Sequence, residues 1–248
     1  MCDSCGCGTH GGASAEETIA AHENLLAAND RVAGHVRSHF DARGVLAVNL
    51  MSSPGAGKTS LLEATIGALP PGVRVAVIEG DLETENDAER IRRRGVRAAQ
   101  ITTGVACHLD ATMVHDALDR LPLDDVDLLF IENVGNLVCP AEFDIGQHRD
   151  VVLLSVAEGD DKPEKYPVMF RNADLVLITK TDLLPHIDDF DVARARRGVA
   201  RLGVGERVRE LSAKTKQGLE EWTNWLVAEL AAHRRLHPAA QRRDHAAV

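Results

Sequence analysis

Eight residues, Ser52-Ser53-Pro54-Gly55-Ala56-Gly57-Lys58-Thr59, follow an apolar run from Val45 to Met51 and precede a stretch of helical spacing from Ser60 to Leu69. They fit the phosphate-loop pattern GxxxxGK[ST], with Ser52 where the first Gly is usual. Gly55 and Gly57 let the backbone curl so that successive N–H groups face an anion. Lys58 supplies a point charge for the β- and γ-phosphates, and the Thr59 hydroxyl is a ligand for Mg2+. The positive end of the helix that starts here adds to the field. Pro54, Gly55, Ala56, Gly57, Lys58, Thr59 and Ser60 are therefore the expected phosphate-binding residues. Ser52 is tolerable if its backbone stays outside the positive-φ region.

A phosphate loop needs a strand before it and a helix after it, and the rest of the chain repeats that alternation. Strands are expected at Val45–Met51, Arg74–Ile78, Ala98–Thr102, Leu128–Glu132, Val151–Ala157, Leu175–Thr179 and Arg207–Leu211. Helices are expected at Ser60–Leu69, Asp110–Leu121, Val192–Arg201 and Leu219–His233. This is the signature of an α/β fold: a doubly wound, mostly parallel sheet with helices on both faces. Aromatic residues make up only 3% of the 248, so the core must be built from Val, Leu, Ile and Ala, which suits strands covered on both sides. A helix from about Ser14 to Phe40 precedes the sheet, with Ser14 and Glu17 as a capping box and Ile19, Leu25, Leu26, Val32, Val36 and Phe40 as its apolar stripe. The expected organisation is a flexible Cys-rich tail at 1–14, a helical segment at 15–43, a nucleotide-binding domain at 44–236 and a polar tail at 237–248.

The formal net charge of −10 argues against a nucleic-acid partner. Arg90, Arg92, Arg93, Arg94 and Arg97 are the one basic cluster and read as a solvated helix end. No apolar stretch approaches the roughly 20 residues that span a bilayer, and the polar N-terminus does not resemble a signal peptide. A cytoplasmic protein without a membrane partner is expected. Its five cysteines are then thiols for metal or redox chemistry, not disulfides.

Two later segments bear on the choice of base. In Thr179-Lys180-Thr181-Asp182, which resembles the guanine motif NKxD, the Asp182 carboxylate can accept from guanine N1–H and the 2-amino group. Lys180 would lie over the base with its aliphatic stem. Thr179 stands in place of Asn, which puts one structural hydrogen bond in question and predicts a modest guanine affinity. Ser212-Ala213-Lys214 resembles the SAK loop, whose backbone meets guanine O6. Asp81, Asp87 and Glu132 are the acids expected near the terminal phosphate. Glu132 ends a strand and can hold Mg2+, while Asp81 or Asp87 can orient the attacking water. Lys58, Asp81, Asp87 and Glu132 form the catalytic set, and an ATP-using small-molecule kinase is the competing reading.

Two groups of residues carry metal donors. Cys2, Cys5 and Cys7 lie within six residues, with His10 nearby; thiolates suit soft and borderline metals, and an added amine nitrogen suits Ni2+. Cys107-His108 follows the third strand and Cys139 follows Glu132 by seven residues. Both segments leave the edge of the sheet where ligands gather.

Gly80-Asp81-Leu82-Glu83-Thr84, the run Glu132-Asn133-Val134-Gly135-Asn136-Leu137-Val138-Cys139-Pro140, and Lys162-Pro163-Glu164-Lys165-Tyr166-Pro167 with Met169-Phe170 resemble the hydrogenase nickel-incorporation GTPases of the HypB family. The N-terminal CxxCxC is similar to a tail nickel site found in part of that family. The resemblance implies GTP/GDP and Mg2+ as cofactors, GTP hydrolysis, a nucleotide-dependent homodimer, and Ni2+ or Zn2+ at Cys107, His108 and Cys139. It further implies delivery of nickel to the precursor of a nickel–iron hydrogenase large subunit, with a small nickel accessory protein as partner. The same machinery serving another nickel enzyme, or a metal-storage protein with weak nucleotide turnover, are the alternatives. The lack of a His-rich N-terminal tract argues against bulk storage.

Overall fold

The computed structural model describes residues 15–81, 85–104 and 106–237, and only the backbone of residues 15–17. Among them seven strands form one sheet: β1 (Leu46–Ser52), β2 (Val75–Asp81), β3 (Arg97–Thr102), β4 (Leu128–Glu132), β5 (Arg149–Ser155), β6 (Leu175–Thr179) and β7 (Val208–Glu210). Their order is β3-β2-β4-β1-β5-β6-β7. Every neighbouring pair is parallel, where the sequence led to a mostly parallel sheet. All strand C-termini therefore meet at one edge, and β1, which feeds the Gly-rich loop, sits in the middle of it.

The helices are α1 (Ala15–Asp41), α2 (Lys58–Ile66), α3 (Asn86–Arg92), α4 (Ala111–Leu118), α5 (Lys162–Lys165), α6 (Pro167–Asn172), α7 (Val192–Arg201) and α8 (Leu219–Leu236). Strand β1 shows how they cover both faces. Leu46, Val48 and Leu50 point to one side, against Leu61 and Leu62 of α2 and Trp222, Leu226 and Leu230 of α8. Ala47 points to the other, with Val36 and Phe40 of α1 and Val114 and Ala117 of α4. Beyond β1 that second face is closed by Met169 and Phe170 of α6 and Ala195 and Val199 of α7. The core is almost wholly aliphatic. Its largest aromatic side chain, Trp222, is fully buried and satisfies its indole N–H on the Thr65 hydroxyl at 2.8 Å.

Two expectations change. Strand β5 runs Arg149–Ser155, not Val151–Ala157, because the Ser155 hydroxyl accepts the Ala157 N–H and caps a 3-10 turn. The apolar stripe of α1 faces the core only in its second half: Val36 and Phe40 are fully buried, whereas Ile19 is 59% and Leu25 55% exposed. The change falls at the buried Asn29, whose amide bridges the Asp144 carbonyl and the Ala111 N–H and so fixes α1 to the start of α4. Ser14 and the Glu17 side chain lie outside the described residues.

Candidate nucleotide and metal site

At the C-terminal edge the loop after β1 curls as its sequence requires. Gly55 and Gly57 hold φ of 77° and 97°, values that other residues rarely adopt, whereas Ser52 is an ordinary strand residue. The Ser52 hydroxyl accepts from Lys58 Nζ at 3.1 Å. A cleft of about 450 Å3 opens over this loop, lined by Lys58, Thr59, Asp81, Asp87 and Glu132 among others. All four residues expected to be catalytic thus border one space.

Glu132 is buried at the tip of β4. Its Oε1 accepts from the Thr59 hydroxyl at 3.1 Å and lies 4.0 Å from Lys58 Nζ. Sequence reasoning missed its neighbour: Glu79 of β2 is the register partner of Glu132 in the parallel ladder, and it too is buried and lines the cleft. Burial pushes both carboxyls above the usual carboxylate range. For Glu79 the nearby Glu132 charge adds to this; for Glu132 the Lys58 ammonium opposes it. Among the described residues no N–H or O–H group donates to Glu79 Oε1 or Glu132 Oε2. Two orphaned, shielded carboxylate oxygens beside a Thr hydroxyl form a hard oxygen set of the kind Mg2+ takes. The missed signal was two acids, in Val77-Ile78-Glu79-Gly80-Asp81 and in Phe130-Ile131-Glu132, each the fifth residue of its strand.

The segments expected to bind the base stand beside the loop. Ala56, Leu61, Thr179, Lys180, Asp182, Leu183, Leu211, Ala213 and Lys214 line a mainly apolar slot of about 260 Å3. The Asp182 carboxylate accepts from the Ser212 hydroxyl at 2.6 Å, which joins the two expected guanine segments to each other. Lys180, at φ 58°, donates from Nζ to the Gly55 carbonyl at 2.6 Å and so lies across the phosphate loop. Thr179 makes a bond of its own. Its hydroxyl donates to the Ala56 carbonyl at 2.9 Å, so the tie between this strand end and the phosphate loop is present without Asn.

Arg90 is a correction in part. It sits in the last turn of α3, as expected, but is only partly solvated: its guanidinium donates to Glu63 at 2.6 Å and Asp87 at 3.0 Å and forms part of the cleft wall. Arg94 pairs with Glu63 as well, and Arg92 and Arg93 pair with Glu89. Arg92, Arg93, Arg94 and Arg97 nevertheless stay exposed around the end of α3, as a solvated helix end should.

Cys107, His108 and Cys139 come together. One donor atom from each lies within 4.8 Å of the other two, and the sulfurs are 3.1 Å apart. Two thiols and an imidazole are the donors that Ni2+ or Zn2+ takes, with room for a further ligand. The His108 ring stacks on Phe143 at 4.0 Å, and burial lowers its pKa, so it is neutral with a lone pair to offer. The hydrogen bond that the Cys139 thiol shares with Cys107, and then burial, raise that of Cys139. Asn136 straps the two segments together, donating to the Cys107 carbonyl at 3.3 Å while accepting the Val138 N–H at 2.9 Å. Cys2, Cys5, Cys7 and His10 lie outside the described residues, as do Leu82, Glu83 and Thr84.

Nucleotide cleft and metal cluster are joined by the segment between Glu132 and Cys139. Asn133 Oδ1 accepts the Leu109 N–H at 3.1 Å, and its amide donates to Asn49 Oδ1 at 3.3 Å. Gly135 lies against the phosphate loop so closely that a Cβ there would stand 2.8 Å from Pro54 Cα. Gly80 likewise leaves space for Leu109, whose side chain a Cβ would meet at 2.9 Å.

An all-parallel sheet with a Gly-rich phosphate loop after its central strand, and acids at the neighbouring strand tips, defines a P-loop nucleotide-binding protein. The nucleotide-binding domain of the CobW/HypB/UreG family matches residues 46–202. Over 226 residues the chain is 48% identical to the hydrogenase maturation factor HypB of Escherichia coli K12, covering 91% of this chain and 78% of that one. The crystal structure of HypB from Helicobacter pylori in complex with nickel superposes with a TM-score of 0.78 at 41% identity, covering 84% of this chain and 96% of that one. The hydrogenase maturation factor HypB from Archaeoglobus fulgidus gives 0.77, also at 41% identity, over 83% of this chain and all of that one. The chain belongs to the HypB family. Among the described residues no helix is long and apolar enough to cross a membrane.

Proposed function

We propose that this chain is a GTP-hydrolysing nickel metallochaperone that helps insert nickel into the large subunit of a nickel–iron hydrogenase. The observation that carries this reading is the short segment that begins at Glu132, against the Thr59 hydroxyl, and ends at Cys139, against Cys107.

In this account the backbone N–H groups of residues 55–60 and Lys58 hold the phosphates, and Asp182 accepts from guanine in the slot bounded by Leu183 and Ala213. Thr59, Glu132 and Glu79 are the residues that would hold Mg2+, whose charge offsets the charge developing on the transferred phosphoryl group. Asp81 and Asp87 border the same cleft, where either can orient the attacking water. Nickel is the cargo, bound by Cys107, His108 and Cys139, with zinc able to use the same donors; Cys2, Cys5 and Cys7 form a second nickel site. A second copy of the chain completes the coordination when GTP is bound, and a small nickel accessory protein takes part in transfer to the hydrogenase precursor.

The energetics are within reach. Reversing a two-state equilibrium from 1:99 to 99:1 takes about 5.5 kcal/mol of differential binding, whereas closed structural zinc sites run to roughly 10–16 kcal/mol. An incomplete site of three donors is weaker, so a modest displacement of one ligand is enough to release the ion. Turnover is tested directly: Lys58→Ala should abolish GTP hydrolysis while leaving nickel bound at Cys107, His108 and Cys139. If hydrolysis is equal in wild type and Lys58→Ala, the catalytic assignment fails. A preference for ATP would fail the guanine assignment.

A further inference from the structure

The edge of the sheet away from the cleft carries another set of donor side chains. Asp41 ends α1, His148 stands just before β5, and His233 and His237 lie four residues apart at the end of α8. A strand of seven residues, about 20 Å, separates this edge from the phosphate loop. Asp41 Oδ1 is the meeting point, at 3.0 Å from His148 Nε2, 3.2 Å from His237 Nε2 and 3.9 Å from His233 Nε2. The rings pack in series, with centroids 4.4 Å apart between His148 and His233 and 4.5 Å apart between His233 and His237.

The set does not close as a hydrogen-bond network. His233 is 6% exposed, yet among the described residues its Nε2 has no hydrogen-bond partner, and 3.9 Å to Asp41 is too long to supply one. Burial, with the neighbouring His148 and His237, lowers its pKa to about 4, so the ring is neutral near pH 7. His148 plays a different part. Its Nδ1 accepts the Ala47 N–H at 2.9 Å, so the neutral ring carries its proton on Nε2 and donates it to Asp41. That bond orients the carboxylate and removes His148 from the ligand set. The nearby guanidinium charges are already engaged, Arg37 with Asp144 and Arg149 with Glu229.

We propose that Asp41, His233 and His237 form a site for a divalent first-row transition cation, zinc or nickel, with His148 as the positioning residue for Asp41. Two imidazoles, one in the last turn of α8 and one just past it, with a carboxylate and one water make a tetrahedral set. The ion would fasten the first long helix to the last. Its donors are nitrogen and oxygen only, unlike those of the Cys107 cluster, and it does not depend on the function proposed above.

The test uses the full chain with all five cysteines changed to Ser and cobalt(II) as probe. The expected result is about one bound cobalt with the visible bands of a four-coordinate N/O site and no sulfur charge-transfer band. Zinc should displace it and raise the unfolding temperature. His233→Ala and His237→Ala should each weaken cobalt binding roughly tenfold or more, and His148→Ala should also weaken it, roughly tenfold. If His233→Ala does not fold, His237→Ala on the more open end decides. No cobalt bound by the folded Cys-free chain, or an affinity unchanged in His237→Ala, would overturn the proposal.

Discussion

Asn133 Oδ1 accepts the backbone N–H of Leu109 at 3.1 Å, which fastens the residue after Glu132 to the residue after His108. One amide thus links the carboxylate that meets Thr59 to the loop that presents two of the three metal donors. The path from nucleotide to metal needs no long chain of intermediates, because the bonded segments adjoin both sites.

Replacing that amide should uncouple the two. In Asn133→Ala the Leu109 N–H is buried without a partner, which costs about 1–3 kcal/mol of stability. The ratio of nickel affinities between the GDP and GTP-analogue states should fall toward one, while Cys107, His108 and Cys139 still bind the ion. Anaerobic titration in both nucleotide states measures it; a ratio equal to that of wild type would remove Asn133 from the account.

Glu79→Gln should stabilise the nucleotide-free protein while impairing it with Mg2+. Glu79 has a folded-state pKa raised above its unfolded value, so its stabilising contribution is complete below about pH 4.3 and declines as pH rises toward the folded value. At pH 8 the amide removes that penalty and should raise the unfolding temperature by about 2–4 °C per kcal/mol recovered. The gain should shrink below pH 5. In the same variant Mg2+ should increase GTP affinity less than in wild type. Thermal scans from pH 5 to 8, with and without Mg2+ and nucleotide, report both effects.

Thr179→Val keeps the shape and deletes the hydroxyl that holds the Ala56 carbonyl. The lost bond should cost about 1 kcal/mol, seen as a several-fold weaker GDP affinity in a fluorescence titration. Thr179→Asn should retain the affinity, because an amide can donate to the same carbonyl. Equal GDP affinity for wild type and Thr179→Val would mean that this hydroxyl does not shape the loop.

Gly135→Ala introduces a methyl at 2.8 Å from Pro54 Cα, where backbone must yield. Either the segment from Glu132 to Cys139 or the phosphate loop moves, so GTP affinity and hydrolysis should both drop, by about tenfold or more for a cost of about 1–3 kcal/mol. Isothermal titration with a GTP analogue and a phosphate-release assay check this. An unchanged turnover would show that the contact between the two segments is dispensable.

Much of this was written in local patterns. The alternation of apolar runs with helical spacing placed every strand within a few residues, and the Gly-Lys-Thr loop named its own geometry. Cys107, His108 and Cys139 were legible as neighbours because the loops that carry them follow β4, the partner of β1, and β3, two strands further along the same sheet. What stayed hidden depends on register and on long-range charge. Glu79 faces Glu132 only because β2 pairs with β4 in one particular alignment, which no single strand records. Arg90 finds Glu63 across 27 residues of chain. Asp41 meets three imidazoles, from just before β5 and from the end of α8 and the residue after it, only when the first and last long helices have packed on the same edge.

The most direct measurement is the nickel affinity of the intact protein, titrated anaerobically with GDP–Mg2+ and with a non-hydrolysable GTP analogue, in wild type, in a Cys2/Cys5/Cys7 triple-Ser variant and in Cys139→Ser. Wild type and the triple variant should each show a nickel affinity that changes at least about tenfold, or 1.4 kcal/mol, between nucleotide states, and Cys139→Ser should lose that change. Identical affinities in the two nucleotide states for a triple variant that still binds nickel would contradict the coupling of phosphate and metal through residues 132–139.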